Sequence, residues 1–418
     1  MLSAFQNMFG VLTQRNYGVN SAGYVPALIT LWAQRVGVGW LAWSLTQSPT
    51  WLGLMAAADL LPAVLISPIA GALVDRVHPL RMTVISQVVA AAQGIALWVM
   101  TALGWIDIWS LWALAIVLGI NNPFTTSARM NLLPLMVKPQ EFPTAIAINS
   151  TLFNLARIIG PTVAGTVIAA WDVDLVFLLN AIAQLIFLGT IFLMKLLPAP
   201  PIPQRKDGGV RGLIADIHEG IVYSFRHAGT GPLFVMLVLT AVSSRPVVDM
   251  LPGFADEVFK RGAAGLGWLG SAIGAGGILS AIWLAARSST AGLTRIVAGN
   301  SLVVGLALVG FALVHNFWIA LVFLAIAGAS MVISGAGTQT LLQSSVDNAM
   351  RGRVMALYSL LYRGMPALGS LIMGMAAEVI GLEAAVAVGS VLCIGTWWRM
   401  RGRERAMAEA LEKNPGTR

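Results

Sequence analysis

Seven ionisable side chains stand inside stretches of chain that are otherwise almost wholly apolar: Arg35, Asp59, Arg157, Arg245, Asp249, Arg363 and Glu378. A charge at the centre of an apolar helix costs ~2.5–3.5 kcal/mol on insertion scales, so such groups face protein or a water-filled path. Two chemistries suit them. A carboxylate such as Asp59 takes up and releases a proton if its surroundings alternate between burial, which favours the acid, and an approaching arginine, which favours the anion. An arginine fork matches the oxygens of a carboxylate ligand. Arg35, at similar depth, is the expected partner of Asp59, either in such a relay or in a permanent ion pair. Arg245 and Asp249 are four apart, the spacing of a helical ion pair, in a turn that Pro246 distorts. Asn121, Asn122, Asn154 and Gln184 lie at comparable depth, with Trp32, Trp40, Tyr358 and Tyr362 able to cover an apolar ligand or merely to pack. Each polar group alone could equally brace a bundle, but as a group they point to a solute site.

Signals for catalysis are absent. The four histidines (His78, His218, His227, His315) show no metal-ligand spacing, and the single cysteine, Cys393, allows neither an internal disulfide nor a cysteine cluster. No Gly-Lys-Ser/Thr phosphate loop and no Gly-x-Ser-x-Gly elbow occurs. The expectation is a protein that is not an enzyme and holds no metal or cofactor.

The elements that must position these residues follow from composition. Of 418 residues, 57% are hydrophobic and 11% charged, against ~25% charged in soluble domains. A span needs ~20 apolar residues, so the apolar total supplies about twelve, and the runs lack the alternation of a membrane barrel. The reading is an all-α polytopic membrane protein with twelve transmembrane helices, near 18–45, 51–73, 81–104, 109–131, 143–170, 174–197, 231–254, 264–286, 293–314, 317–343, 352–379 and 382–399. Intramembrane glycines such as Gly270, Gly274, Gly276 and Gly277 read as close helix packing. The long Pro-rich and charged connection splits the chain into an N-terminal six-helix half (1–197), a linker with an amphipathic helix from Leu213 to Arg226 (198–229), a C-terminal six-helix half (230–400) and a tail (401–418). Trp51-Leu52-Gly53 recurs as Trp268-Leu269-Gly270, and Gly160-Pro161 as Met365-Pro366, which suggests two parallel halves.

The formal charge of +8 reflects loops rather than a nucleic-acid surface. With a cytoplasmic N-terminus, 20 of the 26 Lys/Arg fall inside, and only Lys260 and Arg261 outside. Both termini are therefore expected in the cytoplasm. Met1 to Asn16 lacks the pattern of a removable signal peptide.

Gly71-Ala72-Leu73-Val74-Asp75-Arg76-Val77-His78-Pro79-Leu80-Arg81, at the cytoplasmic end of span two, resembles the signature loop of the major facilitator superfamily, Gly-x-Leu-Ala-Asp-Arg-x-Gly-Arg-Arg/Lys. Here His78 replaces the second glycine, and Pro79-Leu80 take the place of the basic pair. The run from Asn149 to Pro161, Gln34-Arg35-Val36 with Trp40-Leu41, and Arg351-Gly352-Arg353-Val354 through Tyr358 are similar to the enterobactin-exporter and macrolide-efflux branch. Gly160-Pro161 with Gly165 partly resembles the antiporter signature of span five, Ala156 and Ala164 replacing two of its glycines. A proline there removes a helical hydrogen bond and kinks the span, so Gly160 and Pro161 read as a hinge.

The resemblance implies the major facilitator fold and a drug:proton antiporter in the inner (plasma) membrane that exports an amphipathic organic molecule, a drug or a siderophore, by alternating access. An importer or uniporter of a small metabolite stays open as the alternative, as does a non-transporting sensor or subunit. Expected substrate residues are Arg35, Asn122, Asn154, Arg157, Tyr358, Tyr362 and Arg363; proton-coupling residues, Asp59 and Asp249. By resemblance Gly71, Asp75 and Arg76, with Arg129 as ionic partner of Asp75, form a conformational-switch loop. Expected partners are a small-molecule substrate, protons and lipid, without nucleic acid, for a monomeric chain.

Overall fold

Pro, Gly and Asp punctuation divides the apolar runs into helices. A computed structural model describes residues 10–74, 77–194, 209–287 and 289–412. Its helices are α1 (Arg15–Thr46), α2 (Pro49–Val74), α3 (Pro79–Ala102), α4 (Ile108–Leu132), α5 (Phe142–Ala170), α6 (Val173–Phe192), α7 (Gly209–Arg226), α8 (Thr230–Ser243), the short α9 (Val247–Gly253), α10 (Gly262–Ala285), α11 (Leu293–Leu313), α12 (Phe317–Ser345), α13 (Asn348–Ile380) and α14 (Leu382–Arg401). A short α15 (Glu404–Leu411) follows. No strand occurs among the described residues. With α8 and α9 counted as one span, and α7 and α15 set aside, these helices cover the twelve expected membrane segments. Among the described residues, nine of these segments meet on their own the length and apolarity needed to cross a bilayer. The first, eleventh and twelfth spans are less apolar; the eleventh carries Arg351, Arg353, Arg363 and Glu378.

Helix starts follow local chemistry. Asp107 accepts from Ser110 N (3.0 Å) to cap α4, Asp172 accepts from Val173 N to cap α6, and Asn316 accepts from Trp318 N and Ile319 N to cap α12. Such oxygens satisfy amides that have no partner in the first turn.

Span seven departs from the expected continuous helix. It breaks over residues 244–246 between α8 and α9, and a wider π-turn runs over Phe254–Val258. Pro246 and Pro252 explain the irregularity, since neither can donate a backbone hydrogen bond.

The chain divides into two compact units: residues 1–46 with 58–206, and residues 47–57 with 207–418. The first third of the expected linker, 198–208, lies outside the described residues, and the rest holds α7.

In the first unit α1 packs on α5 and α6, and α3 on α4 and α6. A buried amide ladder ties them together. Gln34 Nε2 donates to Gln93 Oε1 (3.1 Å), Asn180 Nδ2 to Gln34 Oε1, Gln184 Nε2 to Asn180 Oδ1 (3.1 Å), and Gln87 Nε2 to the Gln184 backbone carbonyl (3.1 Å). These groups are thereby satisfied without water. In the second unit α10 packs on α12, α11 on α12 and α14, and α8 on α13 and α14. The segment read as a tail includes α15, whose Met407 and Leu411 are buried. Glu412 beyond it accepts from Gly292 N (2.7 Å) and Thr294 N (2.8 Å) at the start of α11.

Candidate functional site

In the first unit, α1 and α2 bring Arg35 and Asp59 together. Arg35 Nη2 lies 2.8 Å from Asp59 Oδ2. The approach is through one oxygen only: Asp59 Oδ1 and Arg35 Nε are buried and have no hydrogen-bond partner. The guanidinium also lies 4.8 Å from the Trp32 ring centroid, and Trp32 meets Phe153 edge-on at 5.7 Å. Two glycines allow this packing. A Cβ at Gly119 of α4 would stand 2.5 Å from the Ala58 carbonyl oxygen and 2.7 Å from that of Asp59, so α4 presses directly on the backbone that carries the acid. A Cβ at Gly160 would collide with Trp32, so the glycine beside Pro161 admits α1 against α5.

Other expected residues of this unit are placed differently. Asn122 is half-buried; Asn154 is exposed and donates to Ser150 O of its own helix (2.8 Å). Arg157 is half-buried, one turn before Gly160. Asn121 donates to Ser86 O (2.9 Å) and Gln184 belongs to the amide ladder, so both serve as braces between helices. Gly71 is half-buried at the inner end of α2. Asp75 and Arg76 lie outside the described residues. Arg129 is stacked 3.1 Å from the centroid of the Tyr24 ring.

In the second unit the expected Arg245–Asp249 pair does not form. Arg245 lies over Tyr362, 4.0 Å from its centroid, and Ser370 Oγ donates to Asp249 Oδ2 (2.6 Å). The reason is the break at 244–246: the i,i+4 rule presumes an unbroken helix. Tyr362 is stacked on Tyr358 with centroids 5.3 Å apart, and the Tyr358 hydroxyl donates to Gly335 O (3.0 Å). Arg363, next along α13, is exposed. A small cleft with room for about one water opens beside Arg245 and Tyr362, lined further by Thr240, Ser244, Ser330 and Ser334. These hydroxyls did not stand out in the sequence, because serine and threonine are common in helices and only the tertiary arrangement groups them.

Neither unit gathers three or more His, Cys, Asp or Glu side chains fit to hold a metal among the described residues. The arrangement suits solute binding and charge exchange.

The family model described as "Transmembrane secretion effector" matches residues 20–414. The Staphyloferrin A transporter of Staphylococcus aureus is 25% identical over 370 residues, covering 87% of this chain and 90% of its own. Macrolide efflux protein A of Streptococcus pyogenes is 20% identical, covering 87% and 89%. In fold, the chain is similar to a bacterial homologue of the human lysosomal transporter Spinster, with TM-score 0.71 and 13% identity over 96% of this chain and 99% of that one.

Proposed function

Because the chain belongs to the transmembrane secretion effector family of the major facilitator superfamily, a family of membrane transporters, we propose that it exports an amphipathic organic molecule across the plasma membrane by alternating access, driven by inward proton flow. The names of its relatives, a siderophore transporter and a macrolide efflux protein, support a drug-like or siderophore-like cargo. The observation that carries the coupling is the Arg35–Asp59 pair. It is an ion pair in the middle of two spans, made through one carboxylate oxygen and leaving the other buried and without a donor. On this reading the carboxylate is held as the anion while Arg35 is against it, and Oδ1 is the atom that would take the proton once Arg35 withdraws. Substrate and proton then exchange if cargo binding or helix movement draws Arg35 away.

Deletion of the gene, followed by comparison of compounds inside and outside the cell, tests export and reveals the cargo. Accumulation inside the deletion strain, reversed by the wild-type gene, is the expected result. An unchanged distribution of every compound, or depletion inside the cell, overturns the exporter reading. Inside-out vesicles loaded with the identified cargo outside should then concentrate it only when acidified within.

A further inference from the structure

The Arg35–Asp59 pair does not hold itself in place. A single contact through one carboxylate oxygen, with Arg35 Nε and Asp59 Oδ1 left without hydrogen-bond partners, fixes neither the angle nor the depth of the guanidinium. A two-pronged approach would fix both. The surface of a helix lies ~5–6 Å from its axis, so turning α1 by about 20° would move a side chain there by about 2 Å. That is enough to break the 2.8 Å contact. The alignment of the pair therefore comes from whatever fixes the position of α2 and the rotation of α1.

On the α2 side the backbone is fixed by α4, whose Gly119 lies against the Ala58 and Asp59 carbonyls. On the α1 side a stripe of Gly23, Ala27, Thr30, Gln34 and Gly37, spaced alternately by four and three, faces α6. A Cβ at Gly23 would collide with Thr190, and one at Gly37 would stand 3.0 Å from the Phe177 ring. Smooth contacts of this kind bring helices close yet let them turn, whereas a hydrogen bond is directional. Gln34 supplies the direction. It is wholly buried, its Nε2 donates to Gln93 Oε1 of α3 (3.1 Å), and its Oε1 accepts from Asn180 Nδ2 of α6. Gln93 Nε2 donates in turn to the Leu114 carbonyl of α4 (3.4 Å), and Gln184 Nε2 donates to Asn180 Oδ1 (3.1 Å). The donors all point one way, from Gln184 through Asn180, Gln34 and Gln93 to the α4 backbone, and bonds in such a chain polarise and strengthen one another. Leu114 and Gly119 belong to the same helix. The chain thus ties the helix that carries Arg35 to the helix that presses on Asp59.

We infer that Gln34 is a positioning residue of the coupling pair: its two amide bonds fix the rotation of α1 at which Arg35, the next residue and about 100° further round the helix, meets Asp59. Packing alone does not call for an amide here. An apolar side chain of the same length fills a buried position without the desolvation that a polar group must recover from its partners. The amide is explained by the direction it gives to α1. The function of the pair rests on the proton-coupling reading, but its alignment does not, because alignment is measured without transport.

The test is a double-variant cycle read by melting temperature on the purified, lipid-reconstituted protein. The coupling of the pair is the loss caused by Arg35→Gln when Asp59 is present, minus the loss when Asp59→Asn is already in place. With native Gln34 it should be about 2 °C or more. In Gln34→Met, which keeps the length and loses both bonds, and in Gln93→Met, which cuts the link to α4, it should fall below half that value. Gln87→Met removes an amide beside the chain rather than in it, and should lower the melting temperature while leaving the coupling whole. If Gln34→Met does not fold, Gln93→Met and Gln34→Asn, one methylene shorter, carry the decision. Undiminished coupling in folded Gln34→Met, an equal loss of coupling in Gln87→Met, or no coupling with native Gln34 each overturns the inference. Transport separates it from the proton reading. Proton-driven accumulation by folded Gln34→Met should lose its pH dependence together with the coupling. Lost coupling with wild-type pH dependence would uphold Gln34 as the positioning residue and overturn the proton role of the pair.

Discussion

Asp59 and Arg35 are held to one another by a single contact, and the consequences divide cleanly between stability and transport. Removing one member of this half-buried pair leaves an uncompensated charge, a loss smaller than the about 3–5 kcal/mol of a fully buried pair; removing both is milder. Arg35→Gln should therefore lower the melting temperature more than the double variant Arg35→Gln/Asp59→Asn. A double variant no more stable than Arg35→Gln would show that the pair carries no buried charge penalty. For transport, Asp59→Asn keeps the shape and loses the titration. Counterflow of pre-loaded cargo should persist while proton-driven accumulation disappears together with its pH dependence. Accumulation against a gradient with wild-type pH dependence would make Asp59 structural and move the coupling role to Asp249 or Glu378.

At the scale of the helices, hydropathy and turn residues made the spans legible, because an apolar run and its Pro or Asp stops are local properties. What the sequence did not show was which polar residue answers which. Asn121 and Gln184 stand at the depth of Arg35 yet brace α3 against α4 and α6, while Asn300 and Ser334 look unremarkable in α11 and α12 until tertiary packing bonds one to the other. Arg245 and Asp249 have pairing spacing, but the interrupted backbone at Pro246 separates them. Glycine packing was legible as a tendency and is specific only in three dimensions. A Cβ at Gly276 of α10 would lie well inside van der Waals distance of the Ala325 carbonyl, and one at Gly328 of α12 would collide with the Ile273 carbonyl. Backbone cannot yield as a flexible side chain does, so Gly276→Val or Gly328→Val should destabilise the second unit by 1–3 kcal/mol or more, following the usual range of about 1–3 for overpacking. Gly299→Ala, where a Cβ meets nothing within 4 Å, should leave the melting temperature unchanged. Equal stability of the three variants would show that α10 and α12 are not in close contact.

For the whole molecule, the distribution of charge sets how the chain lies in the bilayer. Lys and Arg concentrate in the connections after even-numbered spans and near both ends, and the intervening connections are acidic or neutral. Translocation of short loops disfavours positive charge, so the expectation from this bias is that both termini lie in the cytoplasm. The connections that begin at α3–α4 and α5–α6 then face outwards and carry Trp105 and Trp171, both largely exposed. The α10–α11 connection with Ser289, and the end of the chain with Arg405, face inwards. Cys393 is buried, so the native thiol gives little background. In intact cells, a membrane-impermeant maleimide should label Trp105→Cys and Trp171→Cys, and should label Ser289→Cys and Arg405→Cys only after permeabilisation. Labelling of the second pair from outside, with the first pair protected, would reverse the orientation. It would also reverse the side from which the proposed coupling at Asp59 takes its proton, because the direction of export is defined by the same membrane axis as the charge bias.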